Sequence, residues 1–164
     1  MSTKNLNVDE SVKDRTFDFF SELMVRDLMT KDLFTLYDDD TLNFADEVMN
    51  WKRIRHIPII NHNYELQGVL THRDLLALSI SQLAALPVND QKSLHRRIRV
   101  GDVIRKSVTT TSPGTRLKEA AKIMFEKKIG CLPVVEHGRL VGIITEADFV
   151  KFFIEWRVEK DSGA

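Results

Sequence analysis

The sequence predicts an α/β protein of the α+β type, in which two copies of one β-α-β-β-α unit pack with pseudo-twofold symmetry and carry flanking helices. The first observation is an internal repeat, because residues 25–74 recur in residues 100–148. The second is that segments with the apolar spacing of a helix and segments with that of a strand follow one another in the same order in both copies. One structural unit is therefore encoded twice, and each copy is too small to bury its sheet alone.

The repeat is defined by identical residues at a fixed distance. At an offset of 75 the matches are Val25 with Val100, Asp27 with Asp102, Lys31 with Lys106, Thr35 with Thr110, Leu42 with Leu117, Ala45 with Ala120, Met49 with Met124, Ile54 with Ile129 and Pro58 with Pro133. At an offset of 74 they are Gly68 with Gly142, Thr71 with Thr145 and Asp74 with Asp148.

Each copy is predicted to begin with a short helical turn and an extended segment, followed by an amphipathic helix, two strands and a last helix. In the first copy these elements are predicted at 25–29, 34–36, from 42, 57–60, 66–70 and 71–86. In the second copy they are predicted at 100–104, 108–110, from 117, 132–135, 140–144 and from 145. The predicted N-caps of the amphipathic helices are Asp40 or Thr41 and, in the second copy, Thr115.

This arrangement resembles the cystathionine β-synthase (CBS) domain, and the tandem pair resembles the Bateman module. The likeness rests on the Ile57-Pro58 and Leu132-Pro133 strands, each followed by a turn and the pattern G-hydrophobic-hydrophobic-T-x-x-D. It divides the chain into an N-terminal helical extension (1–23), repeat 1 (24–86), a linker (87–98), repeat 2 (99–155) and a tail (156–164). The resemblance implies an energy-sensing regulatory module that forms a homodimer. It also implies that AMP, ADP or ATP, or alternatively S-adenosylmethionine, NAD or a cyclic dinucleotide, binds in clefts between the repeats.

The motif G-hydrophobic-hydrophobic-T-x-x-D lies where a strand ends and a helix begins. A helix N-terminus offers unpaired N–H groups and positive partial charge, which suit a phosphate. Thr71 and Thr145 can add a hydroxyl donor, while Asp74 and Asp148 can each accept hydrogen bonds from both hydroxyls of a ribose. The same spacing also forms a capping box, in which the side chains satisfy only the backbone. The two roles can coexist, and the recurrence of the full pattern favours ligand contact.

The two copies differ in charge beside this motif. In CBS domains, basic residues just before the proline often reach phosphates, so the resemblance implies phosphate contacts for Arg55 and His56. Gly130 and Cys131 hold the matching positions in the second copy and carry no charge. Arg73 adds positive charge in the first copy, where the second copy has an alanine. The motif of the first copy is therefore predicted to hold a multiply charged nucleotide, although each cleft draws on both copies.

The predicted adenine slot is apolar with a few polar anchors, as is usual for small-ligand sites. Its walls are the strand residues Ile57, Pro58, Leu132 and Pro133. Backbone groups of the segments that begin at Lys31 or end at Thr110 are predicted to contact the edge of the base. No cofactor is predicted to be required, and Mg²⁺ is left open as a companion of the nucleotide.

Composition argues against several other functions. The 24 basic residues balance the 24 acidic residues, which disfavours attraction to nucleic acid or membrane. Cys131 is the single cysteine and the amino terminus has no signal-peptide core, so a cytoplasmic location is expected. The sequence contains no H-x-x-x-H, C-x-x-C, G-x-x-x-x-G-K-[ST] or G-x-G-x-x-G motif, so neither a metal site nor an enzyme is predicted.

Apolar stripes outside the motifs predict further packing. Residues 11–23 are predicted to be helical, and Phe149, Phe152, Phe153 and Trp156 follow helical spacing. Either the N-terminal helix or a second copy of the chain can cover this stripe, and the homodimer is the prediction. The functional alternatives are a ligand sensor that acts on an effector protein and a ligand-free scaffold that uses the fold only to dimerise.

Overall fold

The structure, a computed structural model, describes residues 22–83, 98–104 and 107–161. The elements in chain order are α1 (Val25–Leu28), β1 (Leu36–Tyr37), α2 (Leu42–Lys52), β2 (His56–Ile60), β3 (Leu66–Thr71), α3 (His72–Leu83), a 3₁₀ turn (Val100–Asp102), α4 (Leu117–Lys127), β4 (Cys131–Glu136), β5 (Arg139–Thr145) and α5 (Glu146–Asp161). The predicted helix at 11–23 lies outside the described residues except for 22 and 23, and so do residues 87–97 of the predicted linker and the side chain of Trp156.

The first strand differs between the copies. In the first copy β1 pairs in parallel with β2, with Leu36 opposite Ile59. In the second copy the predicted extended segment at 108–110 forms no strand, and Thr111 instead makes a single parallel bridge with Val134. Both residues of this bridge lie 75 positions after Leu36 and Ile59, so the register is the same although the strand is reduced to one pair.

The hairpin that follows starts with the same pairing in both copies, although its connecting turn is shorter in the second copy. Strands β2 and β3 are antiparallel, with His56 opposite Thr71. Strands β4 and β5 are also antiparallel, with Cys131 opposite Thr145. His56 and Cys131, each two residues before a proline, therefore lie beside the threonine of a T-x-x-D motif. The positions of the predicted phosphate and ribose contacts thus fall at the same end of each hairpin.

Local signals explain where helices α2 and α4 begin and end. Thr41 caps α2 as predicted, because its Oγ1 accepts the backbone N–H of Phe44 at 3.3 Å. The prediction that Thr115 caps α4 was wrong: the N-cap is Arg116, because the Thr115 hydroxyl is engaged with the Ser112 hydroxyl at 2.9 Å. The C-cap residue after each helix has a φ of 54°. These two residues, Arg53 and Lys128, lie 75 positions apart.

Each opening turn packs on the other copy. Val25 is buried in the core of the second copy, and Val100 is buried in the core of the first. Matching hydrogen bonds hold the two turns, because the Val25 N–H donates to the Thr115 carbonyl at 2.9 Å and the Val100 N–H donates to the Asp40 carbonyl at 2.8 Å. Burying one valine side chain stabilises a fold by about 1.5–3 kcal/mol. The exchange confirms the predicted pseudo-twofold pairing of the copies.

Helix α5 combines buried and exposed apolar residues. Phe149 packs against the core of the second copy. Val150, Phe153 and Ile154 are 59%, 54% and 63% exposed. Within the described ranges, no helix has both the length and the apolar content required to cross a membrane.

Candidate functional site

Both T-x-x-D motifs cap the start of their helices, and in the first copy the box is reciprocal because the Asp74 N–H donates to Thr71 Oγ1 at 3.2 Å. In the first copy Asp74 Oδ2 accepts the backbone N–H of Thr71 at 2.9 Å and its hydroxyl at 2.6 Å. In the second copy Asp148 Oδ2 accepts the same two groups of Thr145 at 2.7 Å and 2.8 Å. In each motif these bonds use Oδ2 of the aspartate and the single proton of the threonine hydroxyl. Oδ1 of Asp74 is left for a ligand, so the first motif accommodates both capping and ligand binding.

The second motif also contacts the opening segment of the first copy. Thr30 Oγ1 donates to Asp148 Oδ1 at 3.2 Å. The backbone of Thr30 is bridged to Ile143 of β5, with N···O distances of 2.9 Å and 3.0 Å. A Cβ atom on Gly142 would lie 2.8 Å from Met29 Sδ and 3.1 Å from the Thr30 carbonyl oxygen. The glycine of this motif therefore allows the opening segment of the other copy to approach closely.

Thr30 was missed by the reasoning from sequence. Its contact spans 118 residues, and no spacing rule connects it to Asp148. A signal was available in Gly142, since glycine within a strand often marks a close backbone approach. The residue 75 positions after Thr30 is Arg105, which lies outside the described residues.

His56 lies between the two copies. A Cβ atom on Gly130 would be 2.9 Å from His56 Nε2 and 3.6 Å from Glu146 Oε2, so all three residues meet at one point. Burial lowers the pKa of the imidazole, the Glu146 carboxylate opposes this shift, the Arg55 guanidinium adds to it and the Asp74 carboxylate opposes it. At neutral pH His56 is therefore a neutral hydrogen-bonding group rather than a fixed positive charge for a phosphate.

Cys131, which follows Gly130 in the chain, is buried. Burial, together with the Glu146 carboxylate, raises the pKa of its thiol to about 12. A thiolate is the reactive form of cysteine, so this residue is not a nucleophile at neutral pH.

The remaining predicted contacts fall into two groups. Lys31, Arg55, Arg73 and Thr110 are exposed and accessible to a ligand. The predicted adenine walls are buried: Ile57 and Leu132 have no exposed surface, and Pro58 and Pro133 are also covered. An adenine ring can reach these four side chains only if the hairpins separate slightly, and their contact with adenine stays a prediction.

Two segments of the chain match one family model, the CBS domain, at residues 25–81 and 100–155. The chain belongs to the CBS domain family. A CBS domain-containing protein of Dictyostelium discoideum is 32% identical over 137 residues, which are 82% of this chain and 93% of that protein. This confirms the likeness inferred from the paired motifs.

Solved structures of CBS pairs agree with the fold. A Vibrio cholerae protein named for acetoin utilization, AcuB, is 38% identical with a TM-score of 0.72, and the match covers 87% of this chain and 98% of that one. The structure of CBSX2 in complex with AMP is 30% identical with a TM-score of 0.68, covering 82% of this chain and 98% of that one.

Enzymes match this CBS pair only over a small part of their length. The chain spans 24% of a homoserine O-acetyltransferase of Methanococcus vannielii and 22% of an inosine-5'-monophosphate dehydrogenase of Methanocaldococcus jannaschii. These matches concern a shared region, and they give no reason to assign either catalytic activity to this chain.

Proposed function

We propose that this CBS pair is a regulatory module that binds AMP, ADP or ATP in a cleft between its two copies. The observation that carries the proposal is the likeness to CBSX2, whose structure contains AMP and of which 98% is covered by the match. Both copies also retain a complete T-x-x-D motif at the start of a helix. The module acts on an effector protein in the cytoplasm, and the size of its response is limited by the difference in ligand affinity between its conformations.

Asp74 is the proposed ribose anchor. Its Oδ2 is used by the capping box, while within the described part of the chain its Oδ1 accepts no hydrogen bond. Because the carboxylate is held through Oδ2, its Oδ1 can accept hydrogen bonds from vicinal ribose hydroxyls without disturbing the helix cap. Hydrogen bonds to a charged group contribute about 1.5–3 kcal/mol.

The charges near Asp74 suit a phosphate. Arg55 and Arg73 are both exposed: Arg55 precedes β2, whose first residue is opposite Thr71, and Arg73 lies in the first turn of α3. The carbonyl of Arg55 accepts the N–H of His72 at 2.9 Å, which fixes these two segments against each other. A phosphate placed there gains from two guanidinium groups and the positive end of α3.

The second cleft is proposed to bind nucleotide more weakly. Gly130 provides no charge where the first copy has Arg55. In addition, Thr30 occupies the Asp148 oxygen that would otherwise accept a ribose hydroxyl. A ligand in this cleft must displace Thr30, and this cost lowers its affinity.

A ligand-free scaffold is the second candidate function. The specific observation in its favour is that Asp74 and Asp148 both accept the backbone N–H and the hydroxyl of their own threonine, so the motifs have a structural role without a ligand. The exposed apolar residues of α5 also suit an interface between chains. If this candidate is correct, the T-x-x-D motifs serve only to start two helices.

A thermal-shift screen tests the proposal. Purified protein is melted with AMP, ADP and ATP, with and without Mg²⁺, and with GTP and CTP as controls for the base. S-adenosylmethionine, NAD and cyclic dinucleotides complete the panel. A ligand at about a hundredfold excess over its dissociation constant adds about 2.7 kcal/mol, or about 5–10 °C for a domain of this size.

The panel has distinct outcomes. A rise in melting temperature with an adenine nucleotide and a smaller rise with GTP supports the sensor. A response to S-adenosylmethionine or NAD alone would replace the nucleotide with another adenosyl ligand. No response to any of these ligands at millimolar concentration would favour the scaffold.

A further inference from the structure

Three metal-ligating side chains converge at the edge of the first sheet that lies opposite the T-x-x-D motif. Asp38 and Asp39 follow β1, and His62 follows β2. Because β1 and β2 are parallel, their carboxyl ends lie together, whereas Thr71 and His56 lie at the other end of the hairpin. One oxygen of each carboxylate and one imidazole nitrogen all lie within 4.8 Å of one another.

The ring of His62 and the backbone of Asp38 are held by their surroundings. The ring of Tyr37 stacks on His62 with a centroid distance of 4.7 Å and an interplanar angle of 19°. The Asp38 N–H donates to the Ile60 carbonyl at 3.0 Å, and its carbonyl accepts the Gly101 N–H at 2.8 Å. The backbone of the loop is therefore fixed both to β2 and to the second copy, while the side chains of Asp39 and His62 stay accessible to an ion.

A cavity of about 340 Å³ adjoins the cluster, and the side chains that line it carry a net negative charge. Asp38, Asp39 and Asp102 line this space with three carboxylates, and Arg99 supplies one guanidinium. The cavity is open to solvent and large enough to hold several water molecules. A cation at the cluster can therefore keep water ligands and lies in an acidic environment.

We propose that Asp38, Asp39 and His62 bind one divalent transition-metal ion of the Zn²⁺ class. A set of one imidazole and two carboxylates suits Zn²⁺, Co²⁺, Ni²⁺ or Mn²⁺ better than Ca²⁺ or Mg²⁺, which prefer oxygen ligands throughout. Three protein ligands leave at least one position for water. The proposal does not depend on nucleotide binding, because the site lies at the opposite end of the hairpin.

The second copy provides an internal control. His137 follows His62 by 75 positions, whereas Pro113 and Gly114 replace the two aspartates. The second copy therefore has the histidine without the carboxylates, and one ion per chain is expected. The competing explanation is an exposed ion pair, since His62 Nε2 lies 3.2 Å from Asp39 Oδ2, and such pairs contribute little to stability.

The test is a titration of the full, untagged chain with Zn²⁺ after removal of metal with a chelator. Calorimetry should give one ion per chain, and Co²⁺ should give visible absorption bands with the same stoichiometry. We expect His62→Ala and Asp39→Asn each to weaken Zn²⁺ binding at least about tenfold, and His137→Ala to leave it unchanged. Far-UV circular dichroism checks that each variant is folded.

Two results would overturn the metal site. The first is the absence of Zn²⁺ binding by the folded wild-type protein at submillimolar concentration. The second is binding that survives both His62→Ala and Asp39→Asn, or that is lost equally in His137→Ala, because the ion would then be held elsewhere. Since Asp39→Asn keeps the shape of an exposed side chain, a loss of binding there is not explained by unfolding.

Discussion

Replacing Asp74 with alanine separates the structural role of the motif from its role in binding. The substitution removes the hydrogen bonds that Asp74 Oδ2 accepts at 2.9 Å and 2.6 Å from Thr71. Loss of a helix cap costs about 0.5–2 kcal/mol, so the melting temperature of the ligand-free protein should fall by about 1–8 °C. If Asp74 also holds ribose hydroxyls, the loss of about 1.5–3 kcal/mol weakens AMP binding by about 10- to 150-fold.

Asp148→Ala is the matched control for this experiment. Its capping box has nearly the same distances, 2.7 Å and 2.8 Å to Thr145, so both variants should lose similar stability through the helix cap. Asp148→Ala also removes the contact with Thr30. Calorimetric titration with AMP should then show a loss of affinity for Asp74→Ala and little change for Asp148→Ala.

The outcome can contradict this reasoning directly. If both variants melt at lower temperature while the affinity for AMP is unchanged in each, the two carboxylates are helix caps and nothing more. If only Asp148→Ala loses affinity, the nucleotide occupies the cleft that we propose to be the weaker one.

Three further predictions concern single positions. Thr111→Val should raise the melting temperature, because the Thr111 hydroxyl is buried with no hydrogen-bond partner among the described residues and such a group costs about 1–3 kcal/mol; a lower melting temperature would mean that the hydroxyl has a role. The pKa of His56 is lowered in the fold, so as the pH falls below about 6.5 the unfolded chain takes up a proton more readily than the folded chain and stability falls; His56→Gln should reduce this loss. Light scattering should give a mass of twice 18.9 kDa, which should fall to the mass of one chain in Phe153→Glu without unfolding, and a wild-type mass of one chain would refute the homodimer.

Features that depend on neighbouring residues could be predicted from the sequence. The helix that begins after Thr41 and the two T-x-x-D capping boxes are short-range patterns, and the structure has them where they were expected. The error at Thr115 has a local cause as well, since a competing hydroxyl on Ser112 engages the group that was expected to cap the helix. Short-range rules therefore work until a second neighbour offers a better partner.

The ligand contacts of the candidate site stay predictions. The structure adds that the segment of Arg55 is bonded to the start of α3, where the Arg55 carbonyl accepts the His72 N–H at 2.9 Å. The charge of His56 was not predictable, because its pKa depends on burial against Gly130 of the other copy. Burial of this kind is a property of the assembled fold and not of the motif.

The sequence by itself determined that one unit occurs twice, the order of its main helices and hairpins and which family it belongs to. These follow from residue spacing, which the chain carries without folding. Only the tertiary structure decided that Val25 packs in the core of the second copy and Val100 in the core of the first, and that Thr30 contacts Asp148. It also brought His62 to Asp39, 23 residues away, because parallel pairing of β1 and β2 aligns the ends of two strands that a helix separates. Contacts of this kind depend on how the elements pack, and no local pattern records them.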